Sequence, residues 1–191
     1  MKGIFFLFSV LLSLTNLRAE NTNENVGAWS DAVGGLRGRL VVAHGQKFND
    51  IDYVKIYVEL QNVSDSISQM EIFPFDLKCE LNNSDGKPVK NCGVMCEGFI
   101  VRPIPLVLPF DSTIRVNVSH SNCGPITPKN ESADTFVSSG DYSQCWVINK
   151  NDHADYFLDG AFHLDNPGYS GEGRNNWFGT LKLPKVKIPR D

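Results

Sequence analysis

The sequence predicts an all-β protein, an antiparallel β-sandwich, and three observations carry that reading. Apolar residues recur at every second position, seven or so such runs follow one another, and Gly, Pro, Asn and Asp fall between them. A chain of 191 residues with 41% hydrophobic and 21% charged residues is folded rather than disordered. One domain of this size buries roughly 70% of its unfolded surface, so a true core is within reach.

The first nineteen residues read as a leader. Lys2 precedes an apolar run from Ile4 to Leu12, and polar Ser13 to Arg18 leads to the small Ala19, the layout of a signal peptide. The run is shorter than the roughly 20 residues that span a bilayer. Cleavage after Ala19 therefore leaves a product with no membrane span, secreted or periplasmic. Retention as an anchor stays open, because Leu17 fits the small-x-small pattern poorly. Residues 20–28 read as a polar spacer and 29–191 as the β-sandwich domain.

Within the domain, Leu36, Leu40 and Val42 alternate with Arg37, Arg39 and Val41. The clearest strand is Tyr53 to Gln61, with Val54, Ile56, Val58 and Leu60 on one face and Lys55, Glu59 and Gln61 on the other. Phe75, Leu77, Cys79 and Leu81 alternate with Asp76, Lys78 and Glu80, and Ile114, Val116 and Val118 with Thr113, Arg115 and Asn117. Further strands are Val101 to Leu108, interrupted by Pro103 and Pro105, then Cys145 to Ile148, Tyr156 to Leu164 and Trp177 to Ile188. Pro184 has no N–H to give a ladder, so the last strand is an edge or carries a bulge. Ser119 to Gly140 shows no strand signal and reads as one long insertion.

Export would place all 5 cysteines in an oxidising compartment. Cys79 and Cys92 lie symmetrically about Asp85-Gly86, a favoured two-residue hairpin turn. Counting outward sets Asn83 opposite Pro88 and Cys79 opposite Cys92 in non-hydrogen-bonded pairs, which suits a disulfide. A longer loop in which Cys92 pairs with Cys96 or another cysteine is the alternative. Cys123 and Cys145 bracket the insertion, and a bridge between them would restrain it. Cys96 is then left over, as a free thiol, an intermolecular link or a small buried residue.

A search for chemistry assigns no catalytic residue, cofactor or metal. Gly168-Tyr169-Ser170-Gly171 lacks the spacing of a nucleophile elbow, and Gly171-Glu172-Gly173 reads as a turn. His44, His120, His153 and His163 are dispersed. Asn149, Asn151, Asp152, His153, Asp155 and Asp159 offer oxygens for Ca²⁺ without the spacing of a calcium loop, and a solvated acidic loop is favoured. Cys145, His153 and His163 make only a loose copper set. A net charge of -4 without a basic run argues against nucleic acid. Tyr169, Arg174 and Trp177 lie in a polar and aromatic loop suited to stacking on a sugar or anchoring a protein, although Trp177 also suits the end of a core. Asn62, Asn82, Asn117 and Asn130 each begin an N-x-[ST] triplet, a glycosylation mark only in a eukaryotic secretory pathway.

Three segments in order, Trp29-Ser30-Asp31-Ala32-Val33-Gly34-Gly35-Leu36-Arg37, Leu60-Gln61-Asn62-Val63-Ser64-Asp65 and Trp177-Phe178-Gly179-Thr180-Leu181-Lys182-Leu183-Pro184, carry a resemblance. They resemble immunoglobulin-like sandwich domains of exported bacterial proteins, akin to the intracellular proteinase inhibitor type. The resemblance implies an immunoglobulin-like fold and a non-catalytic module, and its matching positions are structural, so no functional residue is carried across. The chain differs in standing alone and in its cysteine-bracketed insertion. The function expected is protein binding at the cell surface or in the periplasm. A carbohydrate-binding module using the Tyr169 to Phe178 loop is the alternative, and a hydrolase or metalloenzyme ranks last.

Overall fold

The computed structural model describes residues 24–48, 50–73, 76–92, 103–119, 133–139, 144–164 and 177–190. The leader lies outside them, as do Cys96, Cys123, Tyr169 and Arg174. Every regular element among the described residues is a β-strand, and the strands fall into three sheets.

The alternation that marks Tyr53 to Gln61 produces the longest of them, β4 (Ile51–Asn62). Its apolar face, Val54, Ile56, Val58 and Leu60, is fully buried. Along one side β4 pairs with β2 (Leu36–Ala43), from Leu36 opposite Asn62 to Ala43 opposite Lys55. Along the other, its second half pairs with β8 (Thr113–Asn117). Its first half pairs with β3 (Lys47–Phe48) in a hairpin and with β9 (Ala133–Ser139), which leads on to β10 (Gln144–Asn149). The sheet is completed by β1 (Glu24–Val26) on β2.

A second sheet has β11 (Tyr156–Leu164) at its centre, between β6 (Leu77–Asn83) and β12 (Gly179–Lys187). The third is the pair β5 (Ser68–Ile72) and β7 (Ile104–Leu108). All three contribute to one apolar cluster: Leu40, Ile56 and Leu60 from the first sheet, Leu81, Leu158 and Leu181 from the second, Met70 and Leu108 from the third. Burial of each such side chain contributes on the order of 1.5–3 kcal/mol. Close approach at one crossing depends on Gly38 of β2, where a Cβ would meet Leu183 of β12 at 2.8 Å.

Pro184 sits where the periodicity places it, on a strand bordering its sheet and at a register shift. Leu158 faces Val186 and Gly160 faces Leu183, so Pro184 and Lys185 together oppose Asp159. Pro105 lies in β7, one strand of the two-stranded sheet, where it needs no continuous ladder on both sides.

Other expectations are corrected. The pairing is not wholly antiparallel, because β4 and β9 run parallel, with Tyr53 opposite Phe136. A parallel neighbour requires a long connection, and the chain between β4 and β9 supplies one. Residues 24–26, placed in the spacer, form β1 and hydrogen-bond along β2. The segment read as an insertion contains β9, and β5 was absent from the strand pattern altogether.

The hairpin after β6 also differs. Gly86 N–H donates to Asn83 O at 2.9 Å, Asn83 N–H donates to Lys87 O at 3.0 Å, and Gly86 has φ 76. That is a three-residue loop closed by a left-handed glycine rather than a two-residue turn. The register moves by one, setting Asn82 opposite Pro88. Counting on from there brings Asn91, not Cys92, level with Cys79.

The outward side of β4 carries Glu59, buried although charged. Arg39 on β2 reaches it at 2.6 Å and Arg115 on β8 at 2.7 Å, and Arg115 also contacts Glu24 on β1 at 2.8 Å. Trp29 covers the group, with the Arg39 guanidinium 4.3 Å from its ring centroid. Burial alone would push the Glu59 carboxyl up, but the hydrogen bonds and charges of Arg115 and Arg39 hold it below its ordinary 4.5. A carboxyl depressed by folding stabilises the protein above its unfolded value and loses that contribution as pH falls through the folded value. Glu59→Gln is therefore expected to cost about 2 kcal/mol at pH 7, and the gap to the unmodified protein should narrow as pH falls below about 4.5. Urea denaturation of both proteins at pH 7 and pH 3 measures it.

Candidate functional site

The end of the molecule where β2 begins and β4 stops is organised by Asn62. The residue is 0% exposed. Its Nδ2 donates to Ser66 O at 2.6 Å, Leu108 O at 2.9 Å and, more distantly, Pro109 O at 3.3 Å. Its Oδ1 accepts from Ser64 N–H at 3.0 Å and Ser64 Oγ at 2.7 Å, and its own N–H donates to Ser112 O at 3.0 Å. One side chain thus ties the loop after β4, the end of β7 and the turn before β8. A polar group buried this deeply is tolerated only when its hydrogen bonds are made.

In the Asn62 triplet Nδ2, the atom a glycan would occupy, faces backbone carbonyls. Asn117, by contrast, is exposed, with Oδ1 accepting from Ser119 Oγ at 2.6 Å. Asn82 is half-buried and Asn130 lies outside the described residues.

The neighbouring turn is fixed by glycine. Val33 and Leu36 exchange both backbone hydrogen bonds, at 2.8 and 3.1 Å, around Gly34 (φ 56) and Gly35 (φ 78). Positive φ at both central residues is the tight hairpin form that glycine allows most cheaply. Gly35 also abuts the Asn62 loop: Val63 N–H donates to its carbonyl at 2.7 Å, and a Cβ on it would lie 2.5 Å from Ser64 Cβ.

Trp177 closes the same end. It is 3% exposed, its Nε1 donates to Val33 O at 2.7 Å, and its ring stacks on Phe162 with centroids 6.1 Å apart. With its ring stacked, its polar edge bonded and almost no exposed surface, Trp177 is a plug and not a platform for sugar. Of the two places that the sequence allowed it, Trp177 takes the one at the end of the core. Tyr169 and Arg174, the other members, lie outside the described residues.

Around this rigid base stand side chains that the fold leaves in water. Phe110 is 64% exposed, Phe178 53% and Ile67 50%, with Val63 and Val33 partly exposed beside them. Apolar side chains on loops held by a fixed scaffold suit contact with another apolar surface. The sequence marks Asn62 only as the start of a triplet and does not single out Ile67 or Phe110. Phe110 had a signal, an aromatic residue between Pro109 and Asp111 where a turn was to be expected.

The opposite end, where β11 begins, is polar. Arg190 donates to Asp152 O at 2.6 Å and Asn149 O at 3.0 Å, and its Nη2 lies 3.2 Å from Asp134. Asp152 accepts from Tyr156 Oη and from Ala154 N–H, which hold its carboxyl below the usual range. Asp155 pairs with Lys187 at 2.7 Å. Asp152 and Asp155, two of the carboxylates considered for Ca²⁺, are therefore employed in holding this end together. Among the described residues no three His, Cys, Asp or Glu side chains converge as a metal site, and Cys145, His153 and His163 are not gathered into one. His44 Nδ1 hydrogen-bonds Asp52, whose other oxygen accepts from Gly45 N–H at 3.1 Å.

Cys79 and Cys92 are not brought together as the sequence suggested. Cys79 is free and 5% exposed. Its burial pushes the thiol up to about 12, with a Ser139 hydrogen bond opposing and the Asp159 charge adding. Cys92 instead lies against Cys145, sulfur to sulfur at 2.8 Å. The one-residue change in hairpin register accounts for it, and the Cys123 end of the other expected bridge is outside the described residues.

Asn62→Ala would take the Nδ2 donor from the buried Leu108 O and the Oδ1 acceptor from Ser64 N–H and Oγ, and should destabilise the protein by about 3 kcal/mol. Asn117→Ala, at an exposed position in an equivalent triplet, should change stability by less than about 0.5 kcal/mol. Parallel denaturant titrations of the two variants test the contrast.

No protein-family model matches this chain, and no curated protein or solved structure matches it either.

Proposed function

We propose that the chain is an exported, non-catalytic β-sandwich of immunoglobulin-like type that binds another protein at the cell surface or in the periplasm. The observation that carries this reading is the apolar rim of Val33, Val63, Ile67, Phe110 and Phe178 around the Asn62 scaffold. A sandwich is supported by three sheets sharing one core, and the immunoglobulin-like type by the resemblance of the opening, central and closing segments. Export is supported by the leader pattern of residues 1–19.

Protein is favoured over carbohydrate because Trp177, the ring expected to stack on a sugar, is 3% exposed and committed to the core. Catalysis ranks below both. Glu59, Asp152 and Tyr156 are engaged in ion pairs or hydrogen bonds that hold strands and loops together, and Tyr53, Cys79 and Asp159 are shifted upward chiefly by burial.

The test is capture from the native envelope with the full chain as bait, beside the variants Phe110→Asp and Ile67→Asp. Both positions are exposed, so the variants should fold as the parent does. A partner retained by the parent and reduced at least about 30-fold by Phe110→Asp, the effect of losing an interface hot spot of 2 kcal/mol, is the expected outcome. Equal recovery by all three proteins, or no specific partner, would remove the rim from the reading.

A further inference from the structure

We infer that Cys92 and Cys145 form a disulfide that staples the hairpin arm of β6 to β10, linking the second sheet to the first. The two sulfurs lie 2.8 Å apart. The backbone aligns them as well: Cys92 N–H donates to Cys145 O at 2.8 Å, and Cys145 N–H donates to Asn91 Oδ1 at 3.0 Å. Residues 91 and 92 therefore lie along β10 as a short extension of its edge. The same arm is fixed to β6 by Val89 N–H donating to Leu81 O at 2.8 Å. Near this junction Gln144, on β10, accepts from Cys79 N–H at 2.9 Å through its Oε1, so the two sheets already meet here by a side-chain contact. A covalent link would convert that meeting into a fixed joint.

The third described cysteine makes the choice of pair sharper. Cys79 is closed in by β11, where a Cβ on Gly160 would stand 3.2 Å from its sulfur, and burial keeps its thiol protonated. It cannot turn outward to Cys92 without displacing that strand. Cys92 is exposed and open to a reagent, whereas Cys145 is buried directly behind it.

The chemistry needs a disulfide donor, RSSR, of the glutathione or thiol-oxidoreductase class. The Cys92 thiolate attacks one donor sulfur, forming a mixed disulfide and releasing RS⁻. The Cys145 thiolate then attacks the Cys92 sulfur and expels the second RS⁻. Two cysteine thiols are oxidised, the donor disulfide is reduced, and the two protons pass to the two departing thiolates. The inference concerns the purified chain and stands whether or not the export reading holds.

The reduced full chain is incubated under native conditions with oxidised glutathione, alkylated and digested with trypsin. Cys92 and Cys96 share one tryptic peptide, so the mapping is done in parallel on Cys96→Ser. The expected result is the Cys92 peptide linked to the Cys145 peptide. Linkage of Cys145 to the Cys123 peptide, or Cys92 recovered alkylated, would overturn the assignment. As a second reading, dithiothreitol should lower the Tm of the parent by about 10 °C, from the entropy of closing a loop of this length. Cys92→Ser should show the lower Tm with or without reductant. A parent Tm indifferent to dithiothreitol counts against the staple.

Discussion

Strand β4 is the constraint on which the rest depends. Its inward face is a continuous apolar row, and both of its edges are taken, by β2 and β8 over its second half and by β3 and β9 over its first. A register slip of one residue would turn Val54, Ile56, Val58 and Leu60 to the outside and bring Lys55, Glu59 and Gln61 into the core. The outward side reinforces the same register. Glu59 meets Arg39 from one neighbour and Arg115 from the other, so a single carboxylate checks the alignment of three strands. Ion pairs of this kind contribute modestly to stability when exposed. Here the carboxylate is buried, and misalignment would leave it unpaired at a far greater cost.

Where β4 stops, Asn62 converts strand order into loop order. Its amide binds carbonyls that follow β4 and β7, and its backbone N–H reaches the turn before β8. The loops at this end are consequently fixed at their bases while Ile67 and Phe110 project from their tips. Ordering a loop on binding costs conformational entropy. Loops already held by a buried amide have met most of that cost during folding, which is why an exposed rim on this base is better suited to recognition than the same residues on a free chain.

Much of the fold was legible, and what was not has physical causes. β4, β6, β8 and β11 carry apolar rows facing one core, so period two appears directly in the residues. Pro184 announced its bulge because a missing N–H has few places to go. β1 is three residues joined to β2 through backbone groups, which leave no trace in side-chain pattern. β9 is hidden for the opposite reason. It is buried on both faces through small and polar residues, Ala133, Thr135, Ser138 and Ser139, whose composition mimics a loop. The hairpin after β6 is legible as a hairpin, but its loop length is not. Asp85-Gly86 suits either a two-residue turn or a loop ending in a left-handed glycine, and the choice moves every later pairing by one. Asn62 was read for its triplet, and only the carbonyls arriving from β7 and the following turn, distant in sequence, reveal its structural use.

The contrast between the two ends bears on how the rim should be understood. At the start of β11, Arg190, Asp152, Tyr156 and the carbonyls of Asn149 and Ala154 answer one another, and the polar groups are largely consumed in closing the structure. At the end near Asn62 the buried polar groups are satisfied just as fully, and Trp177 seals the core beneath. Nothing in that closure requires Phe110, Phe178 or Ile67 to be apolar, because none of them completes the core they stand beside. Scattered surface apolar residues are ordinary. Five brought onto adjoining loops by one buried amide and one pair of left-handed glycines are a different matter, since the same positions filled with polar side chains would fold as well and dissolve better. On the binding reading proposed above, contact with a partner is the use that these apolar positions serve.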